Sequence, residues 1–506
     1  MQNSLQAFAP GTVGAWVVFV LNAVGVIGFI GYGVGQAHLV WLYLRRGPRR
    51  DRQVWKDVPD ASLPVVTVQL PLYNEHMVAA RVIDACAALD WPADRLEIQV
   101  LDDSTDDSVA IVDERAAHWR ARGIDVRVVR REKRTGFKAG ALAYGAQAAR
   151  GEFHALFDAD FLPDRDFLRR AMPYFADERV GAVQTRWGHI NRTQSWLTRA
   201  QAVVMDSFFM VEQEARDRAG LFIRFNGSAG IWRATAVADA GGWQADTLSE
   251  DYDLCLRTQL AGWRMVYARD IVVPGEVPPT MHDYKVQQRR WGRGRGQVIR
   301  KMLPSLVRAD LPTLVKVHVV FDMLNIITVP CLLLIGIMSP LLVFALAHEP
   351  VIRPSAVALG RVAGIVQVPL NGLLLPFIVI LALRPYARGL VALAREALAS
   401  VPPFLAIMMG LNLLMMIAAA SGLRGGDAIF HRTSKYSIPG GAGGNGTRAP
   451  KGTRGSLETW GEGLLAVYFA GALGYDAVMG QWLYAPFHIL LAIGFAAMFG
   501  STVARR

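Results

Sequence analysis

Residues 65–107 read VVTVQLPLYNEHMVAARVIDACAALDWPADRLEIQVLDDSTDD and carry the strongest fold signal in the chain. Two short runs within it, VVTVQL (65–70) and LEIQVL (96–101), are rich in β-branched residues, which is typical of buried strands. The segment between them repeats apolar residues at helical spacing, at Val78, Val82, Cys86 and Leu89. A strand, a helix and a second strand in succession predict a βαβ unit with parallel strands.

Three further strand-like runs follow, namely DVRVVR (125–130), HALFD (154–158) and VGAVQTRW (180–187). Because strands alternate with helical stretches, the sequence predicts an α/β fold with a doubly wound, mostly parallel sheet. In open sheets of this kind ligands bind beyond the carboxyl ends of the strands. That edge is therefore the expected position of a binding site.

The sequence on both sides of this domain is strongly apolar. The chain has 506 residues, 52% of them hydrophobic, and a mean hydropathy of +0.24. Residues 13–44 contain no charged side chain if His38 is neutral, and later apolar runs occupy 317–347, 362–383, 397–422, 461–479 and 482–503. A bilayer span needs about 20 apolar residues. We therefore expect the α/β domain to be inserted between transmembrane α-helices.

Four regions are predicted. They are an N-terminal transmembrane helix with a juxtamembrane segment (1–50), the α/β domain (51–279), interfacial helices (280–316) and a C-terminal membrane domain (317–506). The last region contains a polar, Gly-rich, basic loop at 424–460. Residues 397–422 are long enough to span the bilayer, but such a basic loop belongs on the cytoplasmic side. An interfacial or re-entrant helix at 397–422 leaves five spans and places the loop beside the α/β domain.

The charge distribution indicates anionic partners. The net charge is +11 and the pI is about 9.7. Basic residues flank apolar runs, as Arg505 and Arg506 do after the last one, and this agrees with the positive-inside rule. The balance favours phosphate-bearing substrates or anionic lipid over nucleic acid. The widely spaced Cys86, Cys255 and Cys331 indicate neither a disulfide framework nor a zinc site.

Polar motifs stand at the ends of three predicted strands. PLYNE (71–75) follows the first strand, DDSTDD (102–107) the second, and DAD (158–160) closes the fourth. A single loop aspartate is also typical of a turn or a helix cap. Three such clusters at successive strand ends, however, are expected to converge on one crevice.

Asp158 and Asp160 offer two carboxylates behind one strand, and carboxylate oxygens suit a hard divalent cation such as Mg²⁺ or Mn²⁺. Such a cation can neutralise the diphosphate that leaves a nucleotide sugar. Asp102 and Asp103 could bind the nucleoside, the cation or both. Lys138 in GFKAGAL (136–142) opens a predicted helix, where a diphosphate also binds well, although a solvated surface lysine fits equally.

Two later motifs complete the set. Ser249 is a predicted N-cap, so Asp251 lies in the first helical turn, where the dipole favours a carboxylate able to act as a general base. Alternatively, Glu250 and Asp251 only stabilise the positive end of the helix dipole and have no catalytic role. QQRRW (287–291) offers arginines for a diphosphate and a tryptophan face for a sugar ring, or else a polybasic membrane-surface segment.

In this order, PLYNE, DDS, DAD, SED and QQRRW resemble the D, DxD, (T/S)ED and QxxRW signature of family-2 glycosyltransferases. VQLPLYNE, LDWPADRLEIQVLDDSTDD, KAGAL, FDADF, FNGSAGIWR and GGW are similar to the cellulose-synthase-like A and C synthases, which make β-1,4-mannan, glucomannan or β-1,4-glucan backbones. The resemblance spans 64–301. It implies a GT-A-like fold and an inverting, processive enzyme that uses UDP-glucose or GDP-mannose, a divalent cation and a polysaccharide acceptor.

The resemblance also assigns residue roles. Donor binding falls to Tyr73, Glu75, Asp102, Asp103, Lys138, Asp158, Gln287 and Arg290. Acceptor binding falls to Asn226, Gly227, Glu250 and Trp291. Asp158 and Asp160 would bind the metal, and Asp251 would be the catalytic base. FHRTSK (430–435) resembles the FxVTxK gating loop of cellulose synthase, with Arg432 in place of valine; its expected gating residues are Phe430, Thr433 and Lys435.

Two other interpretations remain. A non-processive lipid glycosyltransferase, similar to ceramide glucosyltransferase and acting on a glycolipid acceptor, shares much of the signature, but the many later spans favour a polymer channel. A non-catalytic membrane scaffold is disfavoured by carboxylates at every expected position. The expected protein is a multi-pass enzyme of a bacterial inner or Golgi-type membrane, with its catalytic domain cytoplasmic. Accessory export proteins are compatible partners.

Overall fold

The structure, a computed structural model, describes most of the chain. The described residues are 10–46, 58–348, 352–355, 357–358, 366, 368–426, 435, 457–480, 482 and 484–503. The gating-type residues Phe430 and Thr433 lie outside this set, and Lys435 lies within it.

The chain begins with a long helix and continues into an α/β domain. Helix α1 is Pro10–Arg45. The seven strands are β1 Val66–Leu72, β2 Leu96–Asp102, β3 Asp125–Val129, β4 Phe153–Leu156, β5 Val180–His189, β6 Gly230–Arg233 and β7 Arg264–Gly275. They form one sheet in the order β3-β2-β1-β4-β6-β5-β7. Only β6 runs antiparallel to its neighbours, so the prediction of a mostly parallel sheet is confirmed.

Helices cover both faces of the sheet. They are α2 Ala79–Ala87, α3 Ser108–Arg120, α4 Phe137–Ala148, α5 Phe167–Ala171, α6 Trp196–Ser207, α7 Glu214–Ala219, α8 Ala234–Asp239 and α9 Glu250–Leu260. One hydrophobic core joins the sheet to α2, α3 and α5, and a second joins it to α4 and α9. The doubly wound arrangement follows, because each parallel crossover needs a helix to cover a sheet face.

Strand register brings three predicted motifs to one edge. β1 pairs in parallel with β2, with Leu72 opposite Asp102, and it also pairs in parallel with β4, with Gln69 opposite Leu156. Parallel neighbours end at the same edge of a sheet. The segments after Leu72, after Leu101 and after Leu156 therefore meet there, as expected from the sequence.

A second group of helices follows the sheet. These are α10 Met281–Arg308, α11 Thr313–Leu324, α12 Thr328–His348, α13 Leu374–Leu383, α14 Leu390–Gly410, α15 Asn412–Arg424, α16 Leu457–Met479 and α17 Ala485–Val503. Helix α1 packs on α12, α16 packs on α17, and α14 contacts both α6 and α17. The described residues thus form an α/β domain flanked by apolar helices, which confirms the predicted fold class.

Helix α15 lies against α10 through small residues. A side chain at Gly296 would collide with the carbonyl of Ala419, and one at Gly422 would collide with the carbonyl of Arg293. Glycine at both positions therefore lets the two backbones approach closely. This contact fixes the 287–291 segment of α10 relative to the membrane helices.

Four described helices are long and apolar enough to cross a membrane: Thr12–Arg45, Thr313–His348, Leu390–Gly410 and Ala485–Val503. The predicted segment 397–422 is divided at Leu411 between α14 and α15, and α15 has only 13 residues. The sequence did not predict this division. The length and apolar composition of these four helices identify the chain as a membrane protein.

Candidate active site

A cavity of about 460 Å³ opens at the carboxyl edge of β1, β2 and β4, where α9 and α10 close it. Most residues assigned from the sequence line it together: Tyr73, Glu75, Asp103, Lys138, Asp158, Asp160, Asn226, Gly227, Glu250, Asp251, Gln287, Arg290, Trp291 and Lys435. Residues far apart in sequence thus meet in this cavity, and Asp160 and Lys435, which contact each other, are 275 residues apart.

Two ammonium groups neutralise the DAD motif. The Lys138 Nζ donates to Asp158 Oδ1 at 2.5 Å and to the carbonyl oxygen of Gly227 at 2.8 Å. The Lys435 Nζ donates to Asp160 Oδ1 at 2.5 Å. Although burial opposes it, the charge of Asp158 raises the pKa of Lys138, and the charge of Asp160 likewise raises the pKa of Lys435. Both lysines are therefore cationic at neutral pH.

Local backbone geometry directs these groups into the cavity. Helix α4 begins after Gly136, whose φ of +71° is the left-handed conformation that glycine adopts without strain. The helix start then aims Lys138 at the end of β4. The backbone N–H of Glu276 donates to Asp160 Oδ2 at 3.1 Å, and that of Asp158 donates to Ser228 Oγ at 2.9 Å. The main chain thus holds the Asp160 carboxylate, and the Ser228 hydroxyl fixes the backbone of Asp158.

The two aspartates after β2 have different surroundings. Asp102 is 1% exposed, accepts from Arg130 Nε at 2.9 Å and is not among the described residues lining the cavity. Asp103 lines the cavity and accepts from Arg131 Nε at 3.0 Å. The sequence left open whether Asp102 and Asp103 bind the nucleoside, the cation or both. Because Asp103 lines the cavity, it is the one of the two that can contact a bound ligand directly.

Arg134, which no sequence motif indicated, lies against Tyr73, one of the predicted donor-binding residues. The Arg134 guanidinium carbon is 3.5 Å from the centroid of the Tyr73 ring, and Arg134 also lines the cavity. A guanidinium at this distance stacks on the ring and forms a flat surface. EKRTG (132–136) gave no pattern that separates Arg134 from a solvated surface arginine.

The predicted catalytic base, Asp251, lies close to Lys138, which binds the DAD motif. Ser249 is the N-cap of α9, as predicted, although its side chain forms no capping hydrogen bond. A Cβ built on Gly227 would lie 3.0 Å from Asp251 Oδ2 and 3.6 Å from Lys138 Nζ, so the three groups share one small space. Burial raises the pKa of Asp251, and the Lys138 charge opposes this rise. Burial and the Asp251 charge raise the pKa of Glu250 to about 7.

The carboxylates of Asp158 and Asp160 fit a hard divalent cation. Both line the cavity, and both already balance cationic groups there. No group of three or more His, Cys, Asp or Glu side chains suited to a metal occurs in the part of the chain that the structure describes. A cation held by these two residues would therefore take its remaining oxygen ligands from a bound diphosphate, as Mg²⁺ commonly does.

Sequence comparisons place the domain among known transferases. The family described as "Glycosyltransferase like family 2" matches residues 64–294. Glucomannan 4-beta-mannosyltransferase 1 of Oryza sativa subsp. japonica is 41% identical over 292 residues, which cover 55% of this chain and 56% of that protein. Glucomannan 4-beta-mannosyltransferase 2 of Arabidopsis thaliana is 42% identical over 258 residues, covering 50% of this chain and 48% of that protein. The chain spans about half the length of these curated relatives.

Among solved structures, a mannosyltransferase from Pyrobaculum calidifontis in complex with GDP-Man and Mn²⁺ matches with a TM-score of 0.47 and 22% identity. The match covers 76% of this chain and 99% of that chain. The family match and the curated relatives agree with the five ordered motifs. Residues 64–294 thus match a glycosyltransferase family 2 model, and this part of the chain is similar to glucomannan 4-beta-mannosyltransferases.

Proposed function

We propose that the protein transfers mannose from GDP-mannose to the end of a β-1,4-linked polysaccharide at a membrane, with inversion at the anomeric carbon. The observation that carries this proposal is the meeting of Asp158, Asp160, Lys138 and Asp251 in one cavity. The mannosyl donor is favoured over UDP-glucose by relatives about 40% identical that are named glucomannan 4-beta-mannosyltransferases.

The donor end of the cavity suits a nucleoside diphosphate. Tyr73, Glu75 and Asp103 surround the space for the nucleobase, and Lys138 faces the diphosphate. Gln287 and Arg290 approach from α10, and a guanidinium can hold phosphate oxygens in a bidentate way. Mg²⁺ or Mn²⁺ held by Asp158 and Asp160 would offset the negative charge of the departing diphosphate.

The acceptor end of the cavity contains the catalytic base, Asp251. Asp251 takes the proton from the acceptor hydroxyl as that oxygen bonds to the anomeric carbon, and the bond from this carbon to the diphosphate breaks. Glu250, Asn226 and Gly227 border the same space. A base that activates the acceptor hydroxyl for one direct displacement at the anomeric carbon accounts for inversion, so the product is β-linked.

The far wall of the cavity favours a polymer over a single sugar. Trp291 offers a stacking face, and beyond it Met408 and Met415 extend the cavity to α14 and α15. An extended polysaccharide chain can lie along this wall. The growing polysaccharide would then be exported between the membrane helices that border the cavity. A glycolipid acceptor is the alternative, since apolar side chains there also suit a lipid tail.

The nucleotide requires a cytoplasmic active site. We place the 64–294 domain, the segment around Lys435 and Arg505–Arg506 on the cytoplasmic side, and the N-terminus outside. The basic residues after the apolar runs support this orientation.

Purified protein offered GDP-mannose, UDP-glucose and other nucleotide sugars with Mg²⁺ or Mn²⁺ tests the proposal. We expect turnover of GDP-mannose and a product that β-mannanase degrades and cellulase does not. A product that cellulase degrades would show that the donor is a glucosyl nucleotide and that the mannosyl assignment is wrong. Monoglycosylated lipid at every donor concentration would establish the glycolipid alternative.

A further inference from the structure

One carboxylate on a membrane-proximal helix gathers several donors from the transferase domain. Asp322, on α11, is 4% exposed. It accepts from Arg224 Nε at 2.7 Å and from the Tyr252 hydroxyl at 2.9 Å, and Arg216 forms an ion pair with it at 2.9 Å. Arg224 binds it bidentately, through a second bond of 2.5 Å. Such fork-shaped pairs fix orientation as well as distance.

The partners of Asp322 adjoin the proposed reaction centre. Tyr252 follows the proposed base Asp251 in the first turn of α9, and Arg224 lies two residues before Asn226. Both Tyr252 and Arg224 line the cavity. A single carboxylate therefore fixes both segments that face each other across the acceptor space.

Charge balance explains why a carboxylate is needed here. Arg216 and Arg224 pair with Asp322, and Arg295 donates to its backbone carbonyl, so three guanidiniums converge. Glu212 also faces this group, but burial raises its pKa. Without Asp322 the buried arginines would repel one another, and Arg224 and Arg295 border the cavity into which they could move.

We propose that Asp322 is a positioning residue for transfer, which holds the base-bearing turn of α9 and the Arg224–Gly227 segment at a fixed separation. The proposal rests on the proposed role of Asp251. It ties the alignment of the base to a helix that forms the first part of the candidate span Thr313–His348. The effect is on the geometry between base and acceptor, and it leaves in place the donor residues Tyr73, Glu75 and Asp103, which follow β1 and β2.

Asp322→Asn tests this in the full-length protein in detergent, with Asp476→Asn as the matched control. Asp476 is equally buried, pairs with His488 at 2.6 Å and is not among the described residues lining the cavity. We expect kcat of Asp322→Asn to fall by about 10- to 100-fold, because small misplacements cost this much. The donor Kd should stay within about 3-fold of wild type, and Asp476→Asn should keep its kcat.

Tyr252→Phe is the second variant, since it removes one donor to Asp322 and keeps the ring. We expect kcat to fall about 3- to 10-fold, in the range of one lost hydrogen bond, at unchanged donor Kd. All variants are compared on the nucleotide sugar that wild type turns over fastest, so a wrong donor assignment leaves the comparison intact. Equal losses in Asp322→Asn and Asp476→Asn, or a kcat of Tyr252→Phe equal to wild type, would overturn the proposal.

Discussion

Asp251 is the side chain on which the proposed chemistry depends most directly. It lines the cavity, its Oδ2 faces Gly227, and Lys138 lies nearby to stabilise its ionised form. Asp251→Asn is nearly isosteric but cannot accept a proton. We expect transfer to fall by about 10²-fold or more while donor binding, measured by calorimetry, survives.

The control for this change lies on the same helix. Asp253 is fully buried, pairs with Arg257 and is not among the described cavity-lining residues, so Asp253→Asn should retain turnover in whatever fraction folds. Loss of donor binding together with transfer in Asp251→Asn would make Asp251 a binding residue and remove it as the base.

The Glu250–Asp251 pair predicts a particular pH profile. Burial and the neighbouring charge raise the pKa of Glu250 to about 7, and burial raises the pKa of Asp251. Since a base acts only when deprotonated, transfer should decline as the pH falls through this raised range. The two buried carboxylates titrate as a pair, and Glu250→Gln leaves Asp251 to titrate without a second carboxylate beside it.

We therefore expect kcat-against-pH measurements on Glu250→Gln to show the acidic limb shifted to lower pH. Glu114→Gln, on the exposed surface of α3, should leave the limb in place. A limb that stays unchanged in Glu250→Gln, or moves upward, would contradict the pairing of these two carboxylates.

At the scale of elements, helix α10 presents different faces to its neighbours. Gln287, Arg290 and Trp291 face the cavity. On another face the Lys285 Nζ donates to Glu462 at 2.7 Å and Arg289 donates to Glu458 at 2.8 Å, which fastens α10 to α16. The ion pairs thus set the rotation of the helix about its axis, and with it the aim of the 287–291 segment.

Glu462→Gln should lower the melting temperature and the turnover number together, because breaking a buried pair leaves an uncompensated ammonium, at a cost of about 3–5 kcal/mol. The exchanged pair Lys285→Glu/Glu462→Lys restores opposite charges. We expect it to recover part of both losses in thermal unfolding and activity assays. A double variant no better than either single one would mean that the pair does not set the position of α10.

The elements that the sequence predicted are those specified by local pattern. β1, β2 and β4 alternate with helices and end in polar motifs, so both the strands and their shared edge could be inferred. β6 has only four residues, GIWR, and inserts antiparallel between β4 and β5, a pairing that depends on distant chain segments. The Arg224–Asp322 contact spans 98 residues and follows no local period, so only the three-dimensional structure reveals it.

For the whole molecule, the position of Lys435 constrains the path of the chain through the membrane. Its Nζ lies 2.5 Å from Asp160, so Lys435 must be on the same side of the membrane as the transferase domain. Leu390–Gly410 is long and apolar enough to span. Helix α15 has 13 residues, about 20 Å, which is too short to return across a hydrocarbon core of about 30 Å.

A complete crossing by α14 would therefore leave residue 435 on the wrong side. Helix α15 instead packs along the polar helix α10 through Gly292, Gly296 and Gly422, which places it at the membrane surface. We predict that α14 and α15 enter the bilayer from the cytoplasmic side and return to it. The ion pairs of Glu458 and Glu462 with α10 place the start of α16 on that same side.

Single cysteines in a background lacking Cys86, Cys255 and Cys331 test this path. Asn445→Cys, in the segment between α15 and α16, should resist an impermeant thiol reagent applied to intact cells and react after permeabilisation. Asp246→Cys in the exposed transferase surface is the cytoplasmic reference, and Asn3→Cys is the external one. Because one full crossing by α14 reverses the side of residue 445, labelling of Asn445→Cys in intact cells would show that α14 spans. Lys435 could then not reach Asp160, and its place in the active site would be wrong.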